Sequence, residues 1–305
     1  MKKIKLGTSN LMVSEIGLGC MRMADKTVDE AKAVIKASLQ NGINFFDHAD
    51  IYGKGKSEEI FAQAIKELGI KREDIIIQSK CGIDNGTFNF SKDHILKAVD
   101  GILERLNTDY LDVLLLHRPD ALVEPNEVND AFRILHASGK VRWFGVSNQS
   151  AYQMELLQSG VDYPLIANQV QFSLKHTNLI DHGFNVNMNH ESGIYRGAGI
   201  IEYARLNHQT LQAWSPFYSG YFESIFIDND EFIELNMCLE KMAKKYDVSK
   251  EAIAVAWILR HPAQIQVLVG SMTPSRINKI AKAGTFKLSH NEWYELYKAA
   301  GNKLP

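Results

Sequence analysis

The sequence predicts a single (β/α)8 barrel, and three observations carry that expectation. Eight apolar runs rich in β-forming residues recur at 15–20, 43–47, 75–80, 111–117, 141–148, 166–172, 210–216 and 265–271, separated by amphipathic helical patterns. Several runs, such as Val113 to Leu116, are apolar at consecutive positions, as strands covered on both faces require. A chain of 305 residues with 45% hydrophobic content, broken by no Pro/Gly/Ser linker or repeated block, suits one barrel domain over 1–305.

In chain order, residues 3–13 alternate around Gly7-Thr8-Ser9-Asn10 and read as an N-terminal β-hairpin placed to plug the barrel bottom. EIGLGC (15–20) is the first strand, followed by a helix at 28–40; INFFD (43–47) precedes a helix at 58–68, and IIIQSK (75–80) one at 92–106. LDVLLLH (111–117) leads to a helix at 127–137, VRWFGVSN (141–148) to one at 151–158, and IANQVQF (166–172) to one at 200–207. Between the last two lies a long loop after strand 6, residues 173–199, too polar for an ordinary turn and of the kind that forms a lid or a disordered segment. TLQAWSP (210–216) is followed by helices at 234–245 and 251–260, and IQVLVGS (265–271) completes the barrel.

A net charge of −2 offers no broad basic face, which argues against nucleic acid or an anionic membrane as principal partner and for a small-molecule substrate. MKKIKLGTSN has no apolar run after its lysines and no stretch approaches the length of a membrane span, so a cytoplasmic protein is expected. Cys20, Cys81 and Cys238 are widely separated with no CxxC, as reduced, packed thiols would be.

The stretch DHADIYGKGKS (47–57) admits three readings. Its Gly55-Lys56-Ser57 ending imitates a P-loop, but Asp50 stands where that loop needs its first glycine. Asp47, His48 and Asp50 suggest metal ligands, yet their spacing matches no zinc signature. The third reading is a tyrosine near an aspartate, activated by a partner elsewhere. A barrel brings its strand ends to one mouth, so Asp47, Tyr52, Lys80 and His117 emerge there together. Singly each has an ordinary structural reading; jointly they suit proton transfer to an oxygen. Lys80 supplies a cation beside the Tyr52 phenol, Asp47 keeps that lysine charged, and His117 can donate to a carbonyl oxygen as it gains negative charge. No metal is expected: His176, His182 and His190 with Glu191 fit no signature, and DNDEF (228–232) lacks the glycine and glutamate of a calcium loop and reads as an acidic turn.

The pattern Asp47, Tyr52, Lys80, His117, with GVSN (145–148), Gln169, WSP (214–216) and GSMTPSRI (270–277), closely resembles the aldo-keto reductase superfamily, in family order along the chain. DHADIYG, SKCGI and LLLHRPD resemble its bacterial branch of uncharacterised NADP-dependent oxidoreductases. The resemblance implies NADPH-dependent reduction of an aldehyde, ketone or dicarbonyl to an alcohol, with Tyr52 as proton donor and Asp47, Lys80 and His117 as its partners. It implies a nicotinamide cofactor stretched across the barrel mouth without a Rossmann domain; GLGCMR (17–22) is indeed not GxGxxG. By the same resemblance Ser147, Asn148 and Gln169 bind the carboxamide, Trp214 stacks on the nicotinamide, Met21, Ser215, Pro216 and Phe217 follow the cofactor path, and Gly270, Ser271, Thr273 and Arg276 receive its phosphate end. Gly270 stands where relatives often have lysine, and Lys279-Ile280 replace a common Glu-Asn pair; with Arg276 this favours NADPH over NADH.

Arg22 and Arg118 follow strand ends and would border the substrate pocket, favouring a carboxylate or a second carbonyl. The alternative is that Arg118 pins its loop, to Asp120 or to 173–199, and that Arg22 is solvated. Two rival functions are a Schiff-base aldolase using Lys80 as nucleophile and an NADPH sensor, since some superfamily members resemble channel subunits.

Overall fold

A computed structural model describes residues 1–189, 191–194, 199–221 and 223–305. Eight parallel strands, β1 (Ile16–Gly19), β2 (Phe45–Asp47), β3 (Ile76–Cys81), β4 (Leu111–Leu116), β5 (Val141–Ser147), β6 (Leu165–Gln171), β7 (Thr210–Trp214) and β8 (Gln266–Val269), close into a barrel in sequence order. Around them lie α1 (Val28–Gln40), α2 (Lys56–Glu67), α3 (Lys92–Leu106), α4 (Pro125–Ala137) and α5 (Ala151–Gly160), then α6 (Asn178–Phe184), α7 (Ile200–Leu206), α8 (Ile233–Tyr246), α9 (Lys250–Leu259), α10 (Pro274–Ile280) and α11 (His290–Ala299). The expected barrel is present, and the helices at 28–40 and 92–106 have the expected bounds.

Local chemistry starts the helices where they start. Thr27, Ser150 and Ser289 each form a capping box with Glu30, Gln153 and Glu292, and Pro125 and Pro274 occupy first-turn positions that need no N–H. Outward-facing strand residues pack on these helices, Phe144 of β5 stacking on Phe132 of α4 at 3.9 Å between ring centres, and helix packs on helix where Trp257 of α9 stacks on Trp293 of α11 at 4.8 Å, each indole N–H donating to the other residue's carbonyl. Gly145, which opens the GVSN motif, answers crowding rather than flexibility, since a Cβ there would meet the Ala167 carbonyl oxygen and a Leu115 methyl at 2.7 Å.

The N-terminal hairpin pairs Lys3–Lys5 with Met12–Ser14 and closes the barrel bottom as expected. Ile4, Leu6 and Val13 form one apolar cluster with the inward-facing Phe45, Val113, Leu115, Ile166, Ala167 and Leu268. Hydrogen bonds from Gly7 N to Thr210 Oγ1 (2.7 Å) and from Ser14 N to Asn44 Oδ1 (2.7 Å) fix it in place.

Three features depart from the expectation. The segment GSMTPSRI is not only a loop; it runs into α10, and α11 follows, two helices whose patterns are short enough to escape a periodicity reading. A small hairpin pairs Ile83–Asp84 with Thr87–Phe88 beyond β3. The 173–199 connection was expected as a lid or a disordered segment, but its described part is packed on the side of the barrel. Leu174, Leu179 and Ile180 are buried, Tyr297 Oη donates to Asp181 (2.7 Å), and Phe184 meets the rings of Tyr294 and Tyr297. His190 lies outside the described residues.

Because Leu6 is fully buried inside the barrel, Leu6→Ala is expected to lower unfolding stability by about 2–5 kcal/mol with an unchanged denaturant slope. Chemical denaturation checks this, and an unaffected midpoint would mean that the hairpin only drapes over the bottom.

Candidate active site

The C-terminal ends of the strands surround a cavity of about 690 Å³, and the expected residues meet there. Its lining includes Asp47, Tyr52 and His117, the cofactor candidates Met21, Ser147, Asn148, Gln169, Trp214, Ser215, Pro216, Phe217, Gly270, Ser271 and Arg276, and both Arg22 and Arg118. Two expected residues are outside the lining. Lys80 lies beneath it, fully buried, and Thr273 is exposed at the N-cap of α10, its N–H directed to Ser271 Oγ at 3.4 Å.

Lys80 organises the floor. An ammonium has three N–H donors and no acceptor, and Nζ donates to Asp47 Oδ2 (2.8 Å), the His48 carbonyl (2.8 Å) and Tyr52 Oη (3.1 Å). Burial works against its charge, but the charge of Asp47 and the bonds to Asp47 and Tyr52 outweigh that, so its pKa is raised. A charged, fully engaged and buried amine cannot attack a carbonyl, which removes the aldolase reading. Asp47 is fixed in turn: Oδ1 accepts from Gln78 Nε2 (2.7 Å) and Gln169 Nε2 (3.0 Å). Gln78 continues to Gln212 Oε1 (2.9 Å), Gln212 to Gln266 Oε1 (2.8 Å), and Gln266 to the Ser14 carbonyl of the hairpin (2.8 Å). Gln78, Gln212 and Gln266, unlike Gln169, were not singled out in the sequence, although each interrupts an apolar strand with an amide.

Since Tyr52 Oη accepts from Lys80, its own hydrogen points away from the lysine. Burial raises the phenol's pKa and Lys80 only partly offsets this, so Tyr52 stays protonated. His117 stands beside it, ring centres 6.1 Å apart and nearly perpendicular. Burial, then Lys80 and Arg118, lower its pKa to about 2, so the imidazole is neutral. Its Nδ1 is buried without a hydrogen-bond partner among the described residues.

The other readings of 47–57 dissolve in the geometry. The His48 ring turns into the core against Phe61 (4.5 Å), and Asp50 faces the buried Glu58, which accepts from Ser79 (2.7 Å) and Arg105 (2.8 Å). Gly53, Lys54 and Gly55 make a tight turn with positive φ, and Ser57 Oγ donates to the Cys20 carbonyl (2.7 Å) rather than facing a phosphate. Cys20, Cys81 and Cys238 are free and buried. Among the described residues no group of three or more His, Cys, Asp or Glu is placed to hold a metal, and no helix is long and apolar enough to cross a membrane.

On the opposite wall, Ser147 Oγ donates to the Gln169 carbonyl (2.9 Å), Asn148 Nδ2 to Ser147 Oγ (2.7 Å), and Trp214 Nε1 to Asn148 Oδ1 (3.2 Å). Asn148 and Ser215 turn out of their strands at φ 56° and 50°, and asparagine tolerates that region better than most residues. Arg276 is paired loosely with Glu251 (3.8 Å) and its side chain is 54% exposed. The roof was missed by sequence reasoning: Tyr218, Tyr221, Ile225, Ile227 and Asp228 all line the cavity and belong to a strap after β7. The aromatic-rich run PFYSGYFESIFID (216–228) was its signal.

Fold and site together define a (β/α)8 protein built to hold a neutral phenol over a buried cation at the mouth of the barrel. The chain matches the Aldo/keto reductase family over residues 15–300. It is 34% identical to the oxidoreductase YdhF of Escherichia coli (strain K12), spanning 98% of this chain and 97% of that one, and 32% identical to the 6-dehydroglucose reductase of Agrobacterium fabrum (strain C58), spanning 99% of each. It superposes on the crystal structure of an aldo-keto reductase from Klebsiella pneumoniae in complex with NADPH with a TM-score of 0.79, at 24% identity, covering 99% of this chain and 96% of that one. The chain therefore belongs to the aldo/keto reductase family and is an oxidoreductase of that family.

His48 and His117 are held neutral, with pKa values lowered from 6.5 to about 3 and about 2. A depressed folded pKa gives stability that is present above 6.5 and lost as the pH falls toward the folded value. Melting should therefore weaken below pH 6.5. His48→Leu, which keeps the backbone carbonyl that Lys80 uses, should flatten that loss by up to about 1.4 kcal/mol per pH unit. Parallel pH profiles for wild type and variant would contradict it.

Proposed function

We propose that the protein reduces the carbonyl of a small molecule to an alcohol with NADPH, Tyr52 delivering the proton. The observation that carries this reading is the Tyr52 hydroxyl: it accepts from a lysine that has only donors, so its own O–H is left for a ligand in the cavity. The bound nicotinamide supplies the hydride. Tyr52 donates its proton to the oxygen that is becoming an alkoxide, and Lys80 at 3.1 Å stabilises the charge left on the phenol oxygen. Neutral His117 offers an N–H to the same oxygen as charge builds on it. Asp47 keeps Lys80 an ammonium throughout.

The chemistry of the lining suits NADPH. Gln169 spends its N–H groups on Asp47 and Gln212, which leaves its carbonyl oxygen, with Ser147 and Asn148, to hold a carboxamide. The indole of Trp214, anchored by Asn148, offers a flat face. Gly19 and Gly270 face each other across the ends of β1 and β8, a Cβ on Gly270 lying 4.0 Å from the Gly19 oxygen, and keep the cavity wall free of side chains between Met21 and Ser271. Arg276, loosely held by Glu251, is available to a ribose 2′-phosphate. The Klebsiella protein was crystallised with NADPH, in keeping with this assignment.

Tyr52→Phe is expected to lower kcat by about a hundredfold or more on aldehydes, ketones and dicarbonyls while the Kd for NADPH stays close to wild type. Undiminished turnover would remove Tyr52 from the mechanism. Arg276→Ala should weaken NADPH by about tenfold or more and NADH little; fluorescence titration of both cofactors reads the difference, and equal losses would refute the phosphate assignment.

A further inference from the structure

The cavity carries three carboxylates, and each already has a cation: Asp47 is paired with Lys80 (2.8 Å), Asp228 with Lys250, and Glu251 with Arg276 (3.8 Å). Two guanidiniums in the same lining have no carboxylate among the described residues. They differ in how their N–H groups are used. Arg22 donates to Tyr218 Oη and lies over that ring, which ties it to the strap at the cavity wall. Arg118 makes no hydrogen bond or ion pair among the described residues. Its guanidinium carbon lies 5.9 Å from the centre of Trp214 and 5.4 Å from that of Tyr221, and those two rings meet edge to face.

Of the two partners expected if Arg118 pinned its own loop, Asp120 is occupied elsewhere and no described residue of 173–199 bonds the guanidinium. Asp120 accepts instead from the backbone N–H groups of Phe90 (2.8 Å) and Leu122 (2.8 Å). Arg118 is half-buried, follows His117 directly, and its charge contributes to keeping that imidazole neutral. A guanidinium held by its faces keeps its edge donors free, and a planar fork of donors matches a carboxylate.

We propose that Arg118 selects substrates bearing a carboxylate close to the reacting carbonyl, so that the natural substrate is an oxo acid rather than a neutral aldehyde or sugar. This rests on the reductase reading above. A surplus cation with unpaired donors, set between aromatic walls beside His117, is a cost that an anionic substrate relieves. A neutral substrate leaves those donors without a strong acceptor. Ile51 and Ile83 also line the cavity.

The test compares acids with their own esters, which keep the carbon chain and lose the charge. Wild type, Arg118→Leu and Arg118→Lys are assayed with NADPH on 2-oxobutanoate, 4-oxobutanoate and the methyl ester of each, with folding checked by thermal melts. The wild type is expected to prefer at least one acid over its ester by roughly tenfold or more in kcat/KM. Arg118→Leu should erase that ratio by lowering the acid far more than the ester. If the leucine variant melts early, Arg118→Lys, which keeps a cation but not the fork, should lower the same ratio. Turnover of the esters without any acid preference, or equal loss of acid and ester in a folded variant, overturns the proposal and leaves the reductase reading standing. No turnover of any of the four compounds, with no heat on titrating the NADP-loaded protein with 4-hydroxybutanoate, overturns the oxo-acid proposal, and the reductase reading falls with it only if NADPH turnover is also absent on neutral aldehydes, ketones and dicarbonyls.

Discussion

The buried ammonium of Lys80 is the constraint around which the site is arranged. Taking such a charge out of water is tolerable only if a counter-charge and a full set of acceptors surround it. Asp47, the His48 carbonyl and Tyr52 are that set. Two of the three come from the turn after β2, so the backbone at 47–52 is fixed by the lysine at the end of β3. The Tyr52 oxygen becomes part of the solvation of a cation, and its hydrogen is thereby directed outward. In the proposed reaction the group that completes the lysine's shell is the one that gives the proton.

Asp47 would be a poor anchor if it could turn. Its second oxygen is held by two glutamines, and the amide thread continues through Gln212 and Gln266 to the hairpin carbonyl of Ser14. Barrel interiors are usually filled by branched apolar side chains, and this one is apolar only in its lower part, where Leu6, Val13 and Phe45 pack. A glutamine both donates and accepts, so a row of them passes hydrogen bonding across the barrel with no net charge and no unmatched end. The hairpin plug closes the last bond, which gives the N-terminal residues a part in holding the aspartate.

How much of this was legible depended on whether the signal was local. The eight strands showed as apolar runs, and Asp47, Lys80 and His117 showed because each is a polar residue at the end of one. A parallel barrel brings such ends together whatever the loops do. The roof did not show. That Tyr218 to Asp228 fold back over the mouth depends on Gln171 Nε2 bonding the Gly220 carbonyl and Ser173 Oγ bonding that of Tyr218, contacts between side chains and a backbone that no periodicity encodes. The same limit misplaced the lid: 173–199 is long and polar, but its Leu179 and Ile180 find the core while the aromatic strap covers the cavity. Arg22 and Arg118 looked alike as strand-end arginines and were separated by what each touches: Arg22 bonds the Tyr218 hydroxyl, while Arg118 lies over the rings of Trp214 and Tyr221.

The division between floor and roof also says where such a protein can change. Tyr52, Lys80, Asp47 and His117 come from β2, β3, β4 and their ends, and moving Tyr52, Lys80 or Asp47 leaves a buried charge or donor unmatched. The strap has no such burden. It is tied down by the bonds from Gln171 and Ser173, by the Phe226 N–H to the Phe217 carbonyl (3.0 Å), and at its far end by Asp228 on Lys250. Those bonds, with Phe226 fully buried in the core and Phe217 and Ile227 packed against it, keep Tyr218 and Tyr221 over the cavity. Substitutions there reshape the pocket without disturbing the lysine's shell. The buried charge is therefore settled at the strand ends, while the strap shapes the pocket whose wall Arg118 shares with Tyr221.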